Sequence, residues 1–247
     1  KINGKLTDFP FVDENNMPDQ GKGLFTVSSS VKNSFIEYGK GWPELDAFDF
    51  NIMVNNNYIK LIGLEGNLQG NNIKNMEVII DSFDIEEPIM KVNVILDSPV
   101  NKIINAINNS PLKRSMKGVT KKMVGQGPGE LNVSLETPMN DVDNIQFTGT
   151  YDFQGSSIQN EEVGIPALEN IYGVLEFDND SISIKKANAT LYSSPIGIKL
   201  ITKSDINQFN VKGIFSSEFI EMVLGSQFSN KIDGQASWSA EINLFDD

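Results

Sequence analysis

Residues 48–54 read FDFNIMV, and this alternating stretch decides the fold. Its even-numbered positions are all apolar, whereas the odd-numbered positions carry Asp, Asn and Met. A period of two is typical of a β-strand, because successive side chains point to opposite faces of a sheet. The stretch therefore predicts a strand with one buried face and one wetter face.

Similar segments follow along the chain, separated by turns rich in Asn and Gly. The turn 55–57 precedes an apolar segment at 58–64, and the turn 70–72 precedes another at 73–81. Segments spaced about ten residues apart with such turns are typical of antiparallel meanders. We therefore expect most of the chain to form one antiparallel sheet.

Two segments depart from this period. Between residues 100 and 122, apolar residues recur mostly at gaps of three and four, which are helical spacings, and Pro99 suits a first helical turn. Near 216–225, Ser216 or Ser217 is a suitable N-cap for a second short helix. The sequence predicts two short helical excursions.

The same order of elements occurs twice. A first β-repeat is predicted over 42–153, with its helical excursion near 100–122, and a second over 154–247, with its helix near 216–225. Residues 1–41 are predicted to be N-terminal strands that continue a longer sheet. The predicted fold is mainly β: an elongated, strongly twisted and curved antiparallel sheet, shaped like a groove, built from two related repeats.

Composition excludes several classes of function. The chain has no histidine and no cysteine, so Ser-His-Asp, Cys-His and His-zinc sites are impossible. Its net charge of −13 argues against nucleic-acid binding, which needs clustered Lys and Arg. No apolar run approaches the roughly 20 residues that span a bilayer. We predict a non-enzymatic protein with no cofactor and no metal.

The apolar side of such a sheet needs a cover, and two short helices are too small to provide it. The sheet must then curl on itself or leave an apolar trough, which would suit acyl chains. The residues predicted to line this face are Phe48, Phe50, Ile52, Val54, Leu131, Val133, Leu135, Phe147, Leu175, Phe177, Ile196, Ile198, Trp238 and Ile242.

A series of short motifs, in order, resembles a known family. The series begins with KINGKL at 1–6, FPF at 9–11, GLFTV at 23–27 and GWPEL at 41–45. It continues with SPL at 110–112, GELNV at 129–133, GTY at 149–151, YGVLEF at 172–177, SPI at 194–196, VKG at 211–213 and GQASW at 234–238. Together these motifs resemble the central region of YhdP-type proteins of the AsmA-like superfamily, over almost the whole chain.

The resemblance implies a fragment of a longer protein of the Gram-negative envelope. Such proteins resemble bridge-like lipid carriers, with an inner-membrane anchor and a long periplasmic β structure. The family is linked to phospholipid transport between the inner and outer membranes and to outer-membrane barrier integrity. The implied ligands are phospholipid acyl chains, the anchor would lie outside this fragment, and no catalytic residues carry over.

Two alternatives stay open at this stage. The first is an envelope scaffold that binds protein partners through a sheet edge or a surface patch. The second is a carbohydrate-binding or carbohydrate-active β protein, which would need paired carboxylates in a cleft. Candidate pairs are Asp46 with Asp49, Asp81 with Asp84, Glu86 with Glu87 and Glu161 with Glu162, although each lies in or beside a predicted turn.

Overall fold

The structure is a computed structural model of the 247-residue chain. It describes residues 1–17, 19, 21–37, 44–68, 70–109, 120–141, 144–161, 165–203, 206–229 and 236–244. Fourteen strands account for most of these residues. They are β1 Ile2–Gly4, β2 Gly23–Ile36, β3 Leu45–Asn55, β4 Tyr58–Leu68, β5 Asn71–Ile80, β6 Ile89–Asp97, β7 Val124–Gln126, β8 Gly129–Pro138, β9 Gln146–Asn160, β10 Ile165–Asp178, β11 Ile182–Leu191, β12 Ser194–Lys203, β13 Ile206–Ile214 and β14 Ser237–Leu244.

The strands form one open sheet in the order β1-β2-β3-β4-β5-β6-β8-β9-β10-β11-β12-β13-β14, with β7 paired to β9. The pairings between described strands are antiparallel. They join strands that are neighbours along the chain, whereas β7 pairs with β9, also antiparallel. Tight turns make this possible: Asn56 and Gly70 take positive φ values of 52° and 85° between successive strands. The prediction of a mainly β, antiparallel meander is confirmed.

The chain divides into two compact units. Unit 1 comprises Lys1–Asp97 and Asn132–Thr148, and unit 2 comprises Ser98–Leu131 and Gly149–Asp247. Strands β8 and β9 contribute residues to both units. The predicted repeats, 42–153 and 154–247, concern resemblance within the sequence, which the division into units does not test. They stay a prediction.

Helices lie in the two places where the period changes. Helix α1 spans Val100–Asn108, and helix α2 spans Ser217–Leu224, with the four-residue helix α3 at Ser226–Ser229. The Ser216 hydroxyl accepts a hydrogen bond from the Phe219 N–H at 3.1 Å, which identifies Ser216 as the N-cap. The two predicted excursions are therefore confirmed, although residues 110–119 of the first lie outside the described residues.

Within unit 1, strands β2 to β6 present two chemically different faces. We call the side that carries Phe50 and Ile52 the apolar face, and the side that carries Lys60 and Glu77 the polar face. Strand registers place Phe50 opposite Gly63 and Ile52 opposite Leu61, so the apolar residues of β3 and β4 lie on the same side of the sheet. The alternation predicted over residues 48–54 is present, with Phe48 and Phe50 stacked on one side at 5.2 Å between ring centroids.

Candidate functional site

The apolar face of unit 1 consists of three rows that cross five strands. Each row joins directly opposed residues of β2, β3, β4, β5 and β6. The rows are Val27, Val54, Ile59, Ile80 and Met90; Ser29, Ile52, Leu61, Val78 and Val92; and Val31, Phe50, Gly63, Met76 and Val94. Apart from Ser29 and Gly63, every position is a large apolar residue.

These rows are only partly withdrawn from solvent. Ile80, Val92 and Phe50 are buried, but most of their neighbours in the rows are half-buried, and Val27 is 45% exposed. The described residues of unit 1 contribute no α-helix to cover the face, only the 3₁₀ turn Leu6–Asp8. Unit 1 therefore carries a continuous apolar surface that its own described secondary structure leaves open.

The polar face of unit 1 carries the charges. Lys60 pairs with Glu77, and the Lys91 ammonium lies 2.7 Å from the Asp81 carboxylate. The hydrogen bond to Asp81 raises the pKa of Lys91 above its ordinary value. Ser134 donates to Asn93 at 2.7 Å on the same side, so Val133 and Leu135 of β8 point to the apolar side. These two ion pairs thus lie on the side opposite the apolar rows.

Glycines shape one end of the apolar face. The ring of Phe48, which is fully buried, lies against Gly63 and Gly66. A Cβ on Gly63 would lie 2.9 Å from Phe48, and one on Gly66 would lie 2.6 Å from it. Both positions must therefore lack a side chain for the Phe48 ring to lie flat on the sheet.

An aromatic cap, which we define as Phe9, Phe11 and Phe25, lies at the opposite strand ends. Phe9 packs edge-on against Phe11 at 5.9 Å and against Phe25 at 5.3 Å. Phe11 is fully buried, and its carbonyl accepts a 3.1 Å hydrogen bond from the Asn56 side chain in the β3–β4 turn. Phe25 shares its side of β2 with Val27. The cap thus borders the apolar face at the end marked by that turn.

Sequence reasoning did not identify this cap. The FPF motif at 9–11 contributes only to the family resemblance, and residues 5–22 show no regular spacing of apolar residues. The one available signal was the density of aromatic residues among turn formers, which does not say where a loop folds back.

Unit 2 has an apolar face of the same kind, but a helix lies on it. Facing strand positions join in rows across β11 to β14: Ala189, Ile196, Gly213 and Trp238; Ala187, Ile198, Val211 and Ala240; and Ile184, Leu200, Phe209 and Ile242. Phe219 of α2 is buried in a cluster with Ala187, Ala189 and Ile196. Its ring lies 5.2 Å from the indole of Trp238.

The predicted apolar-face residues divide between the units, and their contact with acyl chains stays a prediction. In unit 1 they are Phe48, Phe50, Ile52, Val54, Val133, Leu135 and Phe147; in unit 2 they are Leu131, Leu175, Phe177, Ile196, Ile198, Trp238 and Ile242. Phe48, Phe50, Leu131, Val133, Phe147, Ile196 and Ile198 are buried. The others are half-buried, except Ile242 on the last strand, which is 47% exposed.

The acidic turns show local structural roles. The Asp178 carboxylate accepts hydrogen bonds from the N–H groups of Asp180 and Ser181 at 2.9 and 2.7 Å, and these bonds lower its pKa. Among the described ranges, no group of three or more acidic residues is arranged to hold a metal ion. Within the same ranges, no helix is long and apolar enough to cross a membrane.

Comparison with known proteins gives one finding. A search of curated proteins and a search of solved structures each find no match to this chain. The family model described as "YhdP protein" matches residues 1–247, which is the whole sequence. The family resemblance noted from the ordered motifs is thereby confirmed. The chain belongs to the YhdP family and is a bacterial envelope protein of that type.

Proposed function

We propose that this chain is a periplasmic segment of an inner-membrane-anchored YhdP-type protein, and that it holds phospholipid acyl chains on its apolar sheet face. In this role it supports phospholipid transport between the inner and outer membranes and the integrity of the outer-membrane barrier. The observation that carries the proposal is the set of three apolar rows crossing β2 to β6, which the described residues of unit 1 leave half-open.

The dimensions of the rows suit an acyl chain. Neighbouring strands lie about 4.8 Å apart, so four steps from β2 to β6 span roughly 19 Å. An extended hydrocarbon laid across the strands would contact Val, Ile, Leu and Met side chains along this whole path. Each methylene withdrawn from water contributes about 0.8 kcal/mol, so a long chain gains substantial binding free energy without any polar contact.

The arrangement of charge supports a non-enzymatic role. Ion pairs and amide side chains lie on the polar face, whereas the apolar rows contain no titratable group. Such a surface can bind a hydrocarbon, and it offers no acid or base to activate the Ser29 hydroxyl, its one polar side chain in the rows. We therefore propose that the chain binds and guides lipid and does not transform it.

The test is lipid recovery from protein purified from a Gram-negative host. Extraction followed by mass spectrometry should recover phospholipid with the wild-type chain. Leu61→Gln places an amide on the apolar face and should reduce the recovered lipid severalfold. Ile62→Gln is the matched control, because Ile62 is the next residue, is 41% exposed and lies on the polar face. Absence of lipid from the wild type, or equal loss from both variants, would contradict the proposal.

One observation favours a second candidate, an envelope scaffold that binds protein partners by strand pairing. Strand β14 pairs with β13 over eight residues without a register shift, and no described strand pairs with its other edge. A strand edge that lacks a partner is a template for an added strand. The scaffold candidate predicts that a partner protein, and not lipid, co-purifies with the chain.

A further inference from the structure

Helix α2 lies on unit 2 where an acyl chain would lie if that face were open. Phe219 packs in a buried apolar cluster with two small side chains, Ala187 and Ala189, and with Ile196 and Ile198. All four of these sheet residues are buried. These neighbours are all apolar, so removal of the Phe219 side chain would leave a space lined by hydrocarbon.

The connection that carries α2 is attached to the sheet at adjacent points. Ile214 of β13 and Ser237 of β14 are directly opposed, and the Phe215 N–H donates to the Ala236 carbonyl at 2.8 Å. The chain therefore leaves the sheet after Phe215 and returns to it at Ala236, at adjacent positions. The β13–β14 ladder pairs Asn207–Ile214 with Ser237–Leu244 and includes no residue of α2, so α2 can move away without breaking these pairs.

Among the described residues, contacts with the rest of unit 2 hold α2, and Phe219 and Ile220 of the helix are buried. Its N-cap Ser216 accepts a 2.7 Å hydrogen bond from Ser194, the buried first residue of β12. Two aromatic neighbours, Phe215 and Trp238, pack against Phe219 with centroids at 5.2 Å. On the outer side, Met222 is 66% exposed. Eight residues make a helix that depends on tertiary packing for its stability.

We propose that unit 2 contains a second acyl-binding site beneath α2, which Phe219 occupies when no lipid is bound. Binding there requires α2 to lift, so the site has lower apparent affinity than an open apolar face of the same composition. This inference rests on the function proposed above, and it adds a site whose occupancy is set by competition between a phenylalanine ring and a lipid hydrocarbon chain.

The test uses Trp238 as a reporter in the full chain. Trp42→Phe leaves Trp238 as the only tryptophan, and 9,10-dibromostearate is the quenching ligand, with stearate as the unbrominated control. Phe219→Ala should lower the concentration for half-quenching by roughly tenfold, because it removes the competing side chain. Ser216→Ala keeps Phe219 but removes the N-cap acceptor, and it should shift quenching in the same direction by less.

Met222→Ala is the matched control, since it alters the exposed side of the same helix and should quench as the parent does. A second reporter, Ile52→Trp in a chain lacking Trp42 and Trp238, reads the apolar face of unit 1. If neither Phe219→Ala nor Ser216→Ala shifts Trp238 quenching while the Ile52→Trp reporter is quenched, the second site is wrong and the proposed function stands. If neither reporter is quenched, both are wrong.

Discussion

Gly63 shows how a single missing side chain shapes the apolar face. Its position in the middle of β4 would suit a β-branched residue by pattern alone, yet the Phe48 ring and the Met76 Cβ both come within 2.9 Å of where a Cβ would stand. Glycine has a low strand preference, but its lack of a side chain allows the Phe48 ring to pack on the sheet. Packing between neighbouring strands, and not strand preference, therefore explains why residue 63 is glycine.

Gly63→Ala should therefore destabilise the chain by about 1–3 kcal/mol, because the added methyl overpacks a fully occupied position. Urea unfolding followed by circular dichroism measures the change. Gly197→Ala is the matched control: it lies in β12, and the nearest atom to its Cβ, the Ala187 carbonyl oxygen, is 3.9 Å away. Equal stability of the two variants would contradict the assigned packing of Phe48.

Residue-level prediction from the sequence succeeded where period two was strong. The side assignment of Phe50, Ile52 and Val54 follows from alternation, and the strand registers agree with it. Burial was harder to foresee: Phe48 is fully buried, whereas Ile242 is 47% exposed because it lies on the last strand of the sheet. Alternation predicts on which face of the sheet a side chain lies. How deeply that side chain is buried depends on the elements that pack around it.

At the scale of elements, the change of period located both helices, but it did not reveal what they pack against. Helix α1 lies on the short strand β7, where Val100 and Ile104 approach Gly125. Helix α2 lies on the strands of unit 2 through Phe219. These partners are distant in sequence or separated by turns, and a helical period encodes only which side of a helix is apolar.

The α1 contact makes a prediction at this scale. A Cβ on Gly125 would fall on the Val100 side chain, so Gly125→Ala should push α1 away from β7 at a cost of about 1–3 kcal/mol. Hydrogen exchange should accelerate in residues 100–108 and remain unchanged in α2. Uniform acceleration over the whole chain, or none in α1, would show that Gly125 does not seat the helix.

At the scale of the whole molecule, the two units share an apolar sheet face but differ in whether a helix of the same unit covers it. Each carries an apolar side assembled from opposed strand positions, and the helix α2 lies on that of unit 2. The sequence indicated the β class, the antiparallel order and the family, because those depend on periodicity and motif order. It did not indicate the aromatic cap around Phe11, because a loop without regular apolar spacing does not show which part of the sheet it packs against.

The central claim is that hydrocarbon contacts one side of the sheet and not the other. A photo-crosslinking benzoylphenylalanine placed at Leu61, and in a separate variant at Ile62, tests it within one strand, because these neighbours point to opposite faces. The account predicts phospholipid adducts at position 61 and none at position 62 in cells. Equal adducts at both positions, or adducts at position 62 alone, would contradict it.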